Sequence, residues 1–139
     1  MIKIEISRKN GDYGFEATDS NGHAVRMDSN PESGGENFGI RPMQMLLMGL
    51  GGCSGIDVVN ILKKQRQDLK DIKMTIEGER EADKVPALWS KAKITFELTG
   101  PVDRDKALRA VELSIDKYCS VAETLRKAGC EISWELILK

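Results

Sequence analysis

Histidine is almost absent from this sequence: His23 is the only one. That excludes Ser-His-Asp and Cys-His nucleophile schemes unless His23 itself takes part. It also argues against a metal centre of the structural zinc type, because no histidine cluster and no pair of cysteines close in sequence accompanies it. Cysteine is scarce as well, three among 139 residues, and a small odd number does not make the disulfide framework of a secreted mini-domain. Long apolar runs are missing. The longest, near Met45 to Leu50, is too short to cross a bilayer, and Met1-Ile-Lys-Ile-Glu-Ile-Ser lacks the apolar core of a signal peptide. No membrane association is expected, and the cytoplasm is the expected compartment. A disulfide in a reducing compartment is transient, hence catalytic or sensing. Charge of one sign is also missing. Lys and Arg number 21 against 22 Asp and Glu, intermixed, for a net charge of −1, which excludes the basic block that nucleic-acid partners require.

What remains is an ordinary globular balance, 40% hydrophobic and 31% charged, and the length suits one domain over residues 1–139. Ile2, Ile4 and Ile6 alternate with Lys3, Glu5 and Ser7, the pattern of a strand with one buried face. Asn10-Gly11 and Asn21-Gly22 separate further short runs, Tyr13 to Thr18 and His23 to Met27. Such pairs signal hairpin turns, because both residues tolerate positive φ. Residues 28–40 carry turn formers without periodicity and read as a loop, mobile around Gly34-Gly35. Pro42 suits the first turn of a helix, which should run to about Gln67. Two alternating strands follow, around Ile72 to Glu77 and Leu88 to Leu98. Asp103 then caps a helix with the stripe Ala107, Leu108, Val111, Ile115 and Tyr118, and Ile132 to Leu138 form a last strand. The order is βββ-α-ββ-αα-β, an α+β domain.

Cys53 lies in the glycine-rich stretch Gly49-Leu-Gly-Gly-Cys53-Ser-Gly55. Each interior helix glycine costs about 1 kcal/mol relative to alanine, a loss that tight packing against another backbone offsets. The same bare surface also leaves room for a ligand beside Cys53. A phosphate loop is excluded, because no strand leads in, no Gly-Lys-Ser/Thr follows, and Ser54 stands where a third glycine belongs. Cys53 sits eleven residues beyond Pro42, about three turns into the helix, so the positive helix end is out of reach. Asp57 sets a negative charge one turn further along the same face. Activation of Cys53 therefore needs a cation from elsewhere, and Arg26 and Arg41 are the candidates; solvated surface arginines are the plain alternative.

Cys119 has two settings open to it. Ser120-Val-Ala-Glu123 matches a capping box, which would place Cys119 just before a new helix, near a positive end that favours a thiolate. Alternatively one helix runs from Asp103 to Lys127 with Cys119 buried in its stripe. Cys130 reads as a structural thiol, His23 as an exposed turn residue, and Ser114-Ile-Asp-Lys117 as a chance likeness to a Ser-x-x-Lys motif.

Arg41-Pro42 through Leu-Leu-Met-Gly-Leu-Gly-Gly-Cys53-Ser-Gly-Ile-Asp-Val-Val, followed by Ser114-Ile-Asp-Lys-Tyr-Cys119-Ser-Val, resembles the OsmC/Ohr family, and its small OsmC-like branch more than the organic hydroperoxide resistance branch. The resemblance covers essentially the whole chain. It implies an OsmC-like fold and an intertwined homodimer, in which each meander joins the partner's sheet around central cysteine-bearing helices. It further implies a thiol peroxidase that reduces organic hydroperoxides without a cofactor. Cys53 would attack, Cys119 would resolve, and a lipoyl-type dithiol would reset the pair. Met43, Leu46, Leu50 and Phe38 would suit an alkyl substrate, or be core. The pattern departs at one place: family peroxidases carry a glutamate one or two positions after the helix-initial proline, to hold the activating arginine, and here Met43 and Gln44 stand there. That departure favours the other expectation, a non-catalytic dimer that binds an apolar small molecule or senses redox state.

Overall fold

In the computed structural model, which describes residues 1–139, both Asn-Gly pairs reverse the chain. Gly11 and Gly22 adopt φ of 55° and 86°, values that cost glycine nothing. They join β1 (Glu5–Asn10), β2 (Gly14–Thr18) and β3 (Ala24–Met27) into an antiparallel meander. The chain packs as two compact units, Met1–Leu46 and Leu47–Lys139, and the meander belongs to the first. The expected buried face of β1 is corrected here. Residues 1–4 precede the strand, and Ile4 and Ile6 keep 53% and 58% of their surface. The alternation is real, but the single chain supplies nothing to cover it.

Residues 28–40 are more ordered than their composition implies. Asp28 is buried and accepts hydrogen bonds from the backbone N–H of Ser29, Glu36 and Phe38 at 2.7, 2.9 and 3.1 Å. These bonds, that to Phe38 foremost and then that to Glu36, hold its carboxyl below the usual aspartate range. A short 3₁₀ turn, Pro31–Ser33, is capped by Asn30. Met27 and Ile40 form an isolated parallel bridge, and a side chain at Gly39 would strike the Arg26 carbonyl.

Helix α1 spans Pro42–Lys64, a turn short of the expected end, because Arg66 turns left-handed at φ 57°. Its 23 residues are long and apolar enough to cross a bilayer on length and composition alone, contrary to the estimate from the uninterrupted run. Leu50, Val58 and Leu62, however, are fully buried in the core of the second unit. There α1 faces a sheet ordered β4-β5-β6. Strand β4 (Asp71–Arg80) pairs antiparallel with β5 (Trp89–Thr99), and β5 pairs parallel with β6 (Glu131–Leu138). The parallel pairing requires a crossover, which is supplied by α2 (Arg104–Leu113), a five-residue π-helical turn (Ser114–Tyr118) and α3 (Ser120–Lys127). Asp103 caps α2 as expected, accepting from the Lys106 N–H at 3.0 Å. Ile94, Phe96 and Leu98 of β5 and Ala107, Val111 and Ile115 of the crossover close the core with no exposed surface or almost none. Tyr118 leaves the expected stripe and is exposed, because the widened turn swings it outward.

The glycines of α1 divide by what surrounds them. A Cβ on Gly51 would meet Ile76 Cδ1 at 2.6 Å, and one on Gly55 would overlap Met74 Cε, so the helix lies tight on β4 as the sequence implied. Gly52 has open space.

Candidate functional site: a dithiol with a carboxylate

Cys53 rides on α1 and is half-buried, whereas Cys119 is buried. Four local features shape the place where they meet. The Ser54 hydroxyl donates back to the Leu50 and Gly51 carbonyls at 2.8 and 3.2 Å, satisfying a hydroxyl in a site with no water-exposed surface. The crossover helix widens at Ser114–Tyr118, and the Cys119 N–H closes the turn on the Ser114 carbonyl at 2.7 Å. Such π turns hold one residue more than an α-turn and recur at functional sites. Cys119 then breaks the helix at φ −75°, ψ 104°, and its own Sγ caps α3 by accepting from the Ala122 N–H at 3.4 Å. Finally, the Ser114 hydroxyl lies 3.1 Å from the Ser54 carbonyl and 3.2 Å from Asp57 Oδ2, and fastens the π turn to α1.

The result is a cluster in which Cys53 Sγ, Cys119 Sγ and an Asp57 carboxylate oxygen all lie within 4.8 Å of one another. Burial pushes the Cys119 thiol up to about 11, against the Ala122 N–H, which opposes the shift; the thiol hydrogen bond to Cys53 and the charges of Cys53 and Asp57 add to it. Both sequence settings for Cys119 are thus half right. The helix breaks where the capping box implied, but Cys119 is the cap and Ser120 the first helical residue. The thiol is buried as in the continuous-helix alternative, and the expected thiolate at a positive helix end is corrected to a protonated thiol.

The remaining candidates distribute as follows. Arg26 and Arg41 belong to the first unit. Arg26 pairs with Glu16 at 3.6 Å and lies over the Phe38 ring at 5.0 Å, and Arg41 Nη1 donates to the Gly39 carbonyl at 2.9 Å. Gln44 Oε1 accepts from the Arg41 N–H at 3.2 Å, so the residue standing in place of the family glutamate caps the backbone of its own helix. Leu50 has no exposed surface; its expected substrate contact is corrected to core packing. Met43 and Leu46 lie in the first turns of α1, with Leu46 exposed. Cys130 is a buried thiol raised by burial, as its structural role implied. His23 is exposed and pairs with Asp19 at 2.8 Å.

Sequence reasoning passed over Ser114. One signal was available: Ala107, Val111, Ile115 and Cys119 are all buried at a constant spacing of four. On a 3.6-residue helix each such step overshoots by about 40°, so a stripe of fours calls for a widened turn. No two cysteines are close in sequence, and Cys53 and Cys119, which the resemblance paired, meet in space.

An α+β unit that sets two free thiols beside a carboxylate at a helix break defines a small dithiol protein. The OsmC-like protein family model matches residues 33–135, and the chain belongs to that family. Protein YhfA of Escherichia coli (strain K12) is 43% identical over 115 residues, 82% of each chain. A hypothetical protein from Aquifex aeolicus VF5 superposes with a TM-score of 0.82 at 32% identity, covering 100% of this chain and 98% of that one. The organic hydroperoxide resistance protein OsmC from Legionella pneumophila shares the fold, with a TM-score of 0.74 at 17% identity over 99% and 96% of the two chains.

Proposed function

We propose that this protein is a cysteine-based peroxidase that reduces organic hydroperoxides through a Cys53–Cys119 disulfide cycle. The observation that carries this is the approach of the two sulfurs to within 4.8 Å. A disulfide needs about 2.05 Å, a closure of less than about 3 Å that a shift of the helix break at Cys119 supplies. The roles follow from environment. Cys53 is the more open thiol and attacks. Cys119, buried and raised to about 11, is a poor peroxide nucleophile and resolves.

The Cys53 thiolate attacks the terminal oxygen of the hydroperoxide, the O–O bond breaks, and the alkoxide leaves with a proton as the alcohol. Cys53 is then a sulfenic acid. The Cys119 sulfur attacks that sulfur, and hydroxide departs. The Cys119 proton passes to Asp57, which belongs to the same cluster, and from there to the hydroxide as water. A lipoyl-type dithiol resets the pair by exchange. Arg26 or Arg41 is the proposed activating cation, and Phe38, Met43 and Leu46 the proposed apolar wall. The proposed assembly is an intertwined homodimer; the uncovered Ile4 and Ile6 of the meander support it, since such faces mark interaction sites.

Stopped-flow mixing of reduced protein with cumene hydroperoxide tests the proposal. Rapid consumption lost in Cys53→Ser, with a Cys53–Cys119 disulfide in the peptide map, is the expected result; consumption that is nil or independent of Cys53 ends it. A second reading, a non-catalytic binder of an apolar small molecule, is favoured by an open recess of about 520 Å³ in the first unit, lined by Ile6, Tyr13, Phe15, Met27 and Pro42 among others, a volume typical of ligand sites. A copurified lipid in native mass spectra, with thiols inert to peroxide, would select it.

A further inference from the structure

We propose that Cys53, Cys119 and Asp57 form a binding site for one thiophilic divalent cation of the zinc class. The donor set is two thiolates and a carboxylate, the mixture that suits zinc and leaves a fourth position open for water. Spacing favours this ligand over the disulfide itself. Two sulfurs bound at about 2.3 Å in a tetrahedral site stand about 3.8 Å apart, and a sulfur and a carboxylate oxygen about 3.6 Å. From the 4.8 Å limit that encloses all three donor atoms, the cation needs a closure of at most about 1.2 Å. The disulfide needs up to about 2.7 Å from the same limit.

The surroundings are those of a ligand set held in place. Metal-binding carboxylates and thiolates work best when outer hydrogen bonds fix their orientation. Asp57 Oδ2 already lies 3.2 Å from the Ser114 hydroxyl, and Cys119 Sγ accepts from the Ala122 N–H at 3.4 Å. Cys119 also lines an open recess of about 360 Å³ shared with Asp116, Tyr118, Ser120 and Glu123. Binding balances simply: the cation displaces one proton from each thiol to solvent, and nothing is oxidised. A pair so bound is held apart and cannot form the disulfide, so the cation sets the site in an inactive reduced state. That consequence rests on the peroxidase proposal; the binding site does not.

The test uses the full reduced chain stripped of metal, titrated with zinc against a chromophoric chelator and with cobalt(II) as a spectroscopic probe. One zinc per chain is expected, with a thiolate-to-cobalt charge-transfer band and the strong visible bands of tetrahedral cobalt. Both bands should vanish in Cys53→Ser, and Asp57→Asn should weaken zinc by tenfold or more, in variants whose circular dichroism matches the parent. Zinc should protect Cys53 and Cys119 from alkylation and leave the rate at Cys130 unchanged, a readout that needs no variant. Absence of the charge-transfer band, its survival in both Cys53→Ser and Cys119→Ser, or protection confined to Cys130 would each overturn the proposal. Hydroperoxide consumption by the metal-free protein reports on the peroxidase alone, so the two can fail separately.

Discussion

Replacing Cys53 with serine leaves Cys119 as the one thiol of the cluster and exposes its titration to direct measurement. In the intact site Cys119 is pushed from 9.0 to about 11, and burial is the first cause. The substitution removes the hydrogen bond and charge of Cys53 but not the burial, so the midpoint should stay well above 9.0. The thiolate is the reactive form. At pH 8 a thiol titrating near 11 is about 0.1% ionised and one at 9.0 about 10%. Alkylation of Cys119 by iodoacetamide in the variant, followed by peptide mass spectrometry, should therefore be slower at pH 8 than that of a thiol titrating at 9.0, by up to about 100-fold. The shape of the profile decides the matter: the rate should keep climbing through pH 9 toward pH 11. A plateau at or below pH 9 would show a solvated thiol and refute both the burial argument and the division of labour between the cysteines. The same shift couples to stability. A raised group contributes fully below its unfolded value and loses that contribution as pH rises. The reduced protein should thus lose stability toward urea between pH 9 and pH 11 relative to Cys119→Ser, which lacks the thiol.

Ser114→Ala removes the tether between the π turn and α1; it should cost about 1–2 kcal/mol in urea unfolding. It should also slow disulfide formation without slowing Cys53 oxidation, so that a sulfenate trap captures more Cys53. Unchanged trapping would deny Ser114 its positioning role. Asp28→Asn weakens the acceptor for three backbone N–H groups, and amide exchange across residues 29–38 should accelerate at pH 7. In the parent, the depressed Asp28 carboxyl keeps that protection above pH 3.8 and yields it only as pH falls below that value; protection lost already at pH 5 would contradict the clamp. Phe96→Ala, at a fully buried position of the central strand, should destabilise by about 3–5 kcal/mol, read as a fall in the urea midpoint.

Most of the architecture was legible because it is written in local rules. The Asn-Gly turns, the alternation in β4 and β5 and the Asp103 cap each depend on residues adjacent in sequence, and each reappears in the structure. What escaped was non-local. The alternation of Ile2, Ile4 and Ile6 specifies a face but not whether the same chain covers it. Asp28 gathers amides ten residues away, which no turn statistics anticipate in a segment of glycine and serine. The resemblance paired Cys53 with Cys119, but the Ser114 hydroxyl that joins the widened turn to α1 and Asp57 follows no local pattern. A lone serine on an amphipathic helix gave little reason to expect that.

The π turn makes the dithiol depend on chain length as much as on chemistry. Excising one residue from Ser114–Tyr118 would let the crossover continue as ordinary helix, and every later position would rotate by about 100°. Such a shortened chain could keep its sheet and its core while its second sulfur pointed elsewhere. Among relatives that keep both cysteines, a one-residue gap at this bend would therefore separate those able to close a cystine from those that merely inherit the scaffold.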